Sequence, residues 1–242
     1  PDLNCRPICT LPRKIELIQK FGIDAMFVLK TNEQLLWQAA ETFFTETLKE
    51  KLSAKILIEG SNFSFGWKRS GNAEFLCRTG QQAGIEIELV EPIEQDGNPV
   101  SSSIVRRLLQ NGNVENANRL LTEPYQLTGT VAVGQQRGRT LGFPTANLED
   151  VETIIPLGGV YASAVNVGGQ QHLATTHIGS NITFGQAEPT IESFIHNFTG
   201  DLYGKQLNVV LYSRIRGSQK FDSVDELVAQ MEKDVESTSC RC

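Results

Sequence analysis

The chain has 242 residues, enough for one large domain or two small ones, and its composition (40% hydrophobic, 21% charged) is that of an ordinary globular protein. A net charge of −6 argues against a general nucleic-acid binder, which is usually basic. Five cysteines with no CxxC pair argue against a disulfide framework and favour a reducing, cytoplasmic setting, and no apolar run approaches the ~20 residues of a membrane span.

Basic residues cluster locally, at Lys68-Arg69, Arg106-Arg107, Arg137/Arg139 and Arg214/Arg216, which are candidate sites for small anions. The chain opens on Pro1 rather than Met, so its natural start is expected upstream. Residues 1–12 hold three prolines and read as a loop. Apolar segments then alternate in type. Arg13–Lys20 reads as helix, Ala25–Leu29 as strand, Glu33–Leu52 as a long helix, Lys55–Ile58 as strand, Ala73–Gln82 as helix and Ile85–Val90 as strand. Strands alternating with helices predict a parallel sheet with right-handed crossovers, with ligands beyond the carboxyl ends of the strands.

Two loops of this half carry unusual residues. Gly60-Ser-Asn-Phe-Ser-Phe-Gly-Trp-Lys-Arg-Ser-Gly-Asn72 interleaves aromatics with glycine and a Lys-Arg pair. It can stack a flat ring and hold a phosphate, or be a packed loop whose aromatics belong to the core. Val100-Ser-Ser-Ser-Ile-Val-Arg106 opens a helix, where serines suit an N-cap and the free N–H groups favour an anion. Ser102 and Arg106 are four apart and lie on one face, so they can clasp one phosphate; capping alone also explains the serines.

Val114–Thr122 reads as helix, and Glu123-Pro124 marks a domain boundary. This divides the chain into domains at 1–122 and 123–237 with a polar tail at 238–242 that is expected to be mobile. Beyond the boundary come strands separated by Gly, Pro and Asn turns: Tyr125–Val133, Thr145–Leu148, Val160–Val167, His172–Ile178, Thr190–Phe198 and Lys205–Arg216. A run of strands without helices predicts a closed antiparallel barrel. Ser223–Val235 follows as an amphipathic helix with Glu226 at the capping-box position.

The centre of this half is Arg137-Gly-Arg-Thr-Leu-Gly-Phe-Pro-Thr-Ala-Asn-Leu-Glu149. Gly138 lets the backbone approach a ligand, and Arg137 and Arg139 bring fixed positive charge. Thr145 and Asn147, two apart in a strand, put a hydroxyl and an amide oxygen on one face. Such a set suits Mg²⁺ with a nucleotide, since magnesium takes its ligands from phosphate, water and one or two protein oxygens. A plain hairpin turned by its glycines is the other reading. Glu192 shares a predicted strand face with Phe194, His196 and Phe198, where desolvation would favour its neutral form and make it a better base. An exposed strand carboxylate paired with an arginine is the alternative.

Gly134-Gln-Gln-Arg-Gly-Arg-Thr-Leu-Gly-Phe-Pro-Thr-Ala-Asn147 closely resembles the Gly-rich loop and Pro-Thr-Ala-Asn motif of riboflavin kinases. From about Lys14 to about Val235 the chain is similar to the bacterial bifunctional riboflavin kinase/FMN adenylyltransferases (FAD synthetases), without their beginning. The resemblance implies an incomplete, Rossmann-like nucleotidyltransferase domain followed by a Greek-key barrel with a terminal helix near the flavin. It implies ATP contacts at Gly134, Arg137, Gly138, Arg139, Gly142 and Thr145, Mg²⁺ held by Thr145 and Asn147, and Glu192 as the base that deprotonates the ribityl 5′-hydroxyl of riboflavin to give FMN.

In the first half the aromatic loop resembles Gly-x-Asp-Phe-x-Phe-Gly-x-x-Arg-x-Gly, with Asn62 in place of the acid. This implies nucleotide or flavin contact by Asn62, Phe63, Phe65 and Arg69. The serine motif is similar to Ile-Ser-Ser-Thr-x-x-Arg, which implies ATP triphosphate contacts by Ser102, Ser103 and Arg106. The family's His-x-Gly-His motif is absent: the histidines are His172, His177 and His196, all in the other half. Adenylyltransferase chemistry is therefore expected to be missing from this chain, with truncation as the cause.

Several positions depart from the pattern. Ser193, Phe194 and Asn197 follow Glu192 where an apolar residue, His and Asp are common, and Thr176–Gly185 has His177 for Asn and Ile182 for Pro. A flavin- or nucleotide-binding module without turnover is the alternative function. The expected partners are small molecules, with neither nucleic acid nor membrane; an unpaired strand edge left in the first half would promote self-association.

Overall fold

A computed structural model describes residues 6–134, 137–179 and 189–241. The chain divides into two compact units, Asp24–Val100 and the combination of Pro1–Ile23 with Ser101–Cys242.

The first helix, α1 (Leu11–Gln19), is capped by Thr10, whose hydroxyl accepts from Arg13 N. In the Asp24–Val100 unit, α2 (Glu33–Leu36) is capped by Asn32 and α3 (Ala40–Thr42) runs into a π-helical stretch, Phe43–Lys51. The long helix expected over Glu33–Leu52 is thus broken at Trp37-Gln38-Ala39. The Gln38 carbonyl accepts from Trp67 N at 2.8 Å, and the Trp37 and Trp67 rings stack at 4.7 Å, so this bend is held from outside the helix. The strand expected at Ala25–Leu29 does not form. Among the described residues no strand pairs with it, and Phe27, Val28 and Leu29 are exposed.

Strand β1 (Ile56–Gly60) leads into the small hairpin β2 (Ser64–Phe65) and β3 (Gly71–Asn72). Asn72 then caps α4 (Ala73–Ala83), its Oδ1 accepting from Phe75 N at 2.8 Å, and Gly84 ends that helix at φ +70°. Strand β4 (Glu86–Val90) pairs parallel to β1, from Ile56 opposite Glu86 to Gly60 opposite Val90, which makes the expected strand–helix–strand crossover. Its core is small: Phe44, Leu76 and Ile85 are buried, with Phe63, Phe65 and Phe75 packed against them. A hairpin of β5 (Glu94–Gln95) and β6 (Asn98–Pro99) closes the unit.

In the other unit, Ser101 caps α5 (Ser102–Gln110) and Asn113 caps α6 (Val114–Arg119). Six strands follow: β7 (Gln126–Ala132), β8 (Thr145–Glu149), β9 (Gly159–Val167), β10 (Gln170–Gly179), β11 (Thr190–Ile195) and β12 (Gln206–Arg216), with a helical turn, α7 (Arg137–Thr140), between β7 and β8. They close into an antiparallel barrel in the order β10-β11-β8-β7-β12-β9, as the strand run predicts. The alternation is visible in β7, where Leu127, Gly129 and Val131 are buried and their neighbours are partly open. Leu127, Val165, Ile178, Val209 and Leu211 fill the interior, each fully buried, and each such aliphatic side chain contributes about 1.5–3 kcal/mol relative to exposure.

Val105 and Leu109 of α5 and Val114 and Ala117 of α6 belong to this same core, so the buried faces of residues 102–119 go with the barrel. Strand β11 ends at Ile195, three residues earlier than expected, because Asn197 turns at φ +52°; His196 and Phe198 therefore leave the strand face that the alternation gives them. The terminal helix α8 (Val224–Arg241) packs on β9, β10 and β12 and is longer than expected: residues 238–241 are helical, not a mobile tail.

Candidate active site

The site is built on three neighbouring barrel strands. Asn147 of β8 lies opposite Glu192 of β11, and Glu192 lies opposite His177 of β10. Their neighbours Leu148, Ile191 and Ile178 are core residues, so the alternation turns Asn147, Glu192 and His177 to the outer face together. Thr145, on the same face as Asn147, donates its hydroxyl to Glu192 Oε2 at 3.4 Å. Asn147 Nδ2 donates to the Thr145 carbonyl at 3.5 Å, and among the described residues the Asn147 amide oxygen has no partner.

The loop before β8 fits closely around this pair. A Cβ on Gly134 would fall 2.4 Å from the Asn147 amide, and one on Gly138 would fall 2.3 Å from the Phe143 carbonyl oxygen. Only glycine leaves those spaces open. Gly138 also accepts from Leu141 N and Phe143 N, which folds α7 back toward Thr145. Gly142 turns the chain at φ +85°. Residues 135–136, the side chains of Arg137 and Arg139, and Ser180–Gly185 of the predicted flavin segment, including Ile182, lie outside the described residues.

Two cavities meet at Thr145. One, about 300 Å³, has a barrel wall of Thr145, His177, Glu192 and Phe194 and a helix wall of Leu227, Met231 and Asp234. The other, about 530 Å³, is lined by Pro144, Thr145 and Phe198 and by the turn Gly200–Tyr203. Burial lowers the His177 pKa below its usual value; the Glu192 carboxylate opposes that shift and the Arg216 guanidinium adds to it. His196 is also lowered by burial, and its Nε2 lies 2.9 Å from Thr175 Oγ1. For a divalent cation the donor set is a hydroxyl and a neutral amide oxygen beside a space that a Cβ would fill. That is an oxygen set suited to magnesium completed by phosphate.

Of the second wall of the smaller cavity, the sequence marked Arg216 as part of a basic cluster but missed Met231 and Asp234. Their one signal is spacing: Leu227, Met231, Asp234 and Thr238 form a single helical stripe, and a charged residue on a stripe otherwise apolar or small is unusual.

The motifs of the first half fall in different compact units. Phe63 and Phe65 stack at 5.5 Å, and Phe65 meets Phe43 and Phe75, so both are part of the small core. Asn62 is exposed, and Arg69 Nε donates to Ser64 Oγ at 2.7 Å. Ser102 and Ser103 are exposed in the first turn of α5, while Arg106 has a buried Nε without a partner.

A closed barrel with this motif set is the architecture of a flavin-phosphorylating domain, and the riboflavin kinase family model matches residues 121–240, while the FAD synthetase family model matches residues 2–104. A bifunctional riboflavin kinase/FMN adenylyltransferase of Listeria monocytogenes is 35% identical over 94% of this chain and 73% of its own length. Those of Haemophilus influenzae and Bacillus subtilis are 33% and 34% identical, over 73% and 72% of their lengths. The chain belongs to this bifunctional riboflavin kinase/FMN adenylyltransferase family.

A crystal structure described as a macrolide-efflux protein from Streptococcus pneumoniae has a TM-score of 0.88 and 34% identity, over 96% of this chain and 75% of that one. Efflux is that structure's description; here, among the described residues, no helix is long and apolar enough to cross a membrane. The match over residues 2–104 does not support the expectation that adenylyltransferase function is absent, although the sequence has no His-x-Gly-His.

Proposed function

We propose that this chain transfers the γ-phosphoryl group of ATP to the ribityl 5′-hydroxyl of riboflavin, giving FMN and ADP. The observation that carries this reading is the grouping of Thr145, Asn147 and Glu192 on neighbouring strands, with Thr145 lining both cavities and Glu192 the smaller one. Riboflavin takes the smaller cavity, whose apolar lining suits a flat ring, and the nucleotide takes the larger one. The phosphates then lie at Thr145, beside Gly134 and Gly138, with Gly142 turning the chain before β8.

Glu192 accepts the hydroxyl proton as the ribityl oxygen bonds to the γ-phosphorus and the bond to the β–γ bridging oxygen breaks, with ADP leaving. Phosphoryl transfer depends mainly on positioning and charge neutralisation. Thr145 and Asn147 would hold magnesium, which when bound offsets the phosphate charge. Asn62, Phe63, Phe65, Arg69, Ser102, Ser103 and Arg106 are proposed as ATP or flavin contacts for the family's second activity.

The test is chromatographic detection of FMN from riboflavin, ATP and Mg²⁺. Glu192→Gln should lower turnover by about 10²–10⁴-fold while riboflavin still binds. Wild-type turnover in that variant would remove Glu192 as the base, and riboflavin binding without any FMN from the parent would favour a binding module. The same assay started from FMN scores FAD, and its appearance would assign adenylyl transfer to this chain.

A further inference from the structure

Asp234 is the only charged residue among the described residues whose whole side chain is withdrawn into the interior, at 3% exposure. An ionised carboxylate is costly to bury unless it is paired and hydrogen-bonded. Here it is held from both sides. Arg216 Nε donates to Oδ1 at 2.9 Å and Oδ2 at 3.1 Å, and Arg216 Nη2 donates to Oδ2 at 2.7 Å. Gln230 Nε2, one turn earlier on α8, donates to Oδ1 at 3.0 Å. One turn later the Thr238 hydroxyl donates to the Asp234 carbonyl at 2.9 Å and lies 2.8 Å from Thr175 Oγ1 on β10.

The pair joins the two walls of the smaller cavity, since Arg216 ends β12 and Asp234 sits on α8. Of the five guanidinium N–H groups, Nε, one on Nη2 and one on Nη1 (to the Gly217 carbonyl, 3.0 Å) are engaged. Two remain without a partner among the described residues, and the Phe221 ring, 5.8 Å from the guanidinium carbon, flanks the group. A planar guanidinium fixed this way holds its charge and its two remaining donors in fixed directions, which a mobile arginine does not.

We propose that Asp234 is a positioning residue for the flavin cavity: it docks the terminal helix and fixes Arg216 so that its free donors serve the polar edge of the bound ring. This rests on the assignment of the smaller cavity to riboflavin. Neither residue lines the larger cavity, so the effect of Asp234 is confined to one substrate.

The experiment measures KM for riboflavin and for ATP, kcat, riboflavin affinity by quenching of flavin fluorescence, and the thermal midpoint. The proteins are the full chain, Asp234→Asn, Asp234→Glu, and the exchange of Arg216→Asp with Asp234→Arg. Asp234→Asn should raise riboflavin KM and Kd by roughly tenfold, with ATP KM within about twofold, and Asp234→Glu should recover part of the loss. The exchange re-forms the ion pair but moves the guanidinium from barrel to helix, so it should regain thermal stability without regaining riboflavin affinity. If Asp234→Asn lowers only the thermal midpoint, or if the exchange restores riboflavin affinity, the pair is a structural latch and the proposal falls. If the parent binds riboflavin but forms no FMN, the kinase reading falls alone; weaker flavin binding by Asp234→Asn would still uphold the positioning role.

Discussion

The barrel unit and the Asp24–Val100 unit solve the same problem with unequal means. In the barrel every strand has a partner on both sides, and the closed register sets Asn147, Glu192 and His177 in one row. In the other unit β1 and β4 have, among the described residues, only each other. A two-stranded parallel sheet leaves both edges bare, and parallel sheets are normally covered on both faces. Here Ile56 and Ile58 stand 53% and 60% exposed, and the cluster of buried side chains is only Phe44, Leu76 and Ile85 among the described residues. The difference teaches where precise chemistry can be held: a closed sheet fixes side chains across strands without help, whereas an open pair depends on whatever covers it.

The largest test of that contrast is a matched pair of core truncations. Leu211 and Leu76 are 0% and 1% exposed, so each loses the same methyl groups to alanine. Leu211→Ala should cost the barrel about 2–5 kcal/mol and lower the temperature at which FMN formation fails. Leu76→Ala should lower protection against hydrogen exchange in β1, β4 and α4 while FMN formation persists. Loss of FMN formation in folded Leu76→Ala at room temperature would show that the kinase site depends on the α/β unit, and the contrast would break.

What was legible in the sequence follows the same divide. The barrel strands were readable because alternation and turn residues are local signals, Thr145 and Asn147 were readable as oxygen donors two residues apart, and Glu192 stood out through the family resemblance. The run at Ala25–Leu29 has strand composition but no partner, and pairing is not a local property. The break in Glu33–Leu52 comes from Trp67, about thirty residues on, whose backbone N–H claims the Gln38 carbonyl. Arg216 was legible as part of a basic cluster, but Asp234 and its pairing with Arg216 were not: their meeting depends on how α8 docks, which no window of sequence contains.

Acidification should move the two units in opposite directions. Burial lowers the pKa of His196 from the usual 6.5, so the unfolded chain gains a proton there before the folded barrel does. Stability from that group is full above about 6.5 and falls as pH drops through the window below it. The slope is no steeper than one proton's, about 1.4 kcal/mol per pH unit. Burial raises the Glu59 carboxyl above 4.5, so the folded α/β unit holds a proton that its unfolded form has lost. Its contribution is full below about 4.5 and declines as pH rises through the raised value. Thermal scans from pH 7.5 to 5 should therefore lower the barrel midpoint, less so in His196→Gln, without lowering that of the α/β unit. Equal slopes for His196→Gln and the parent would remove His196 as the cause.

The smallest effect tests where residues 6–23 belong. They precede the α/β unit in sequence, yet Arg13 and Lys20 both donate to Glu123, at the entry to the barrel. The hydrogen bond from Lys20, then that from Arg13, holds the Glu123 carboxyl below its usual value despite some opposing desolvation. That stability is present above about 4.5 and is lost as pH falls through the lowered value. The carboxylate is partly open to solvent, with 32% side-chain exposure, so Glu123→Gln should cost the barrel less than about 1 kcal/mol. The cost should shrink further as salt is raised, since screening acts on exposed pairs. Hydrogen exchange should locate the change: faster exchange in α1 and no change in β1 or β4. A shift confined to β1 and β4 would assign residues 6–23 to the α/β unit instead, and with it the strap that ties the start of the chain to the barrel.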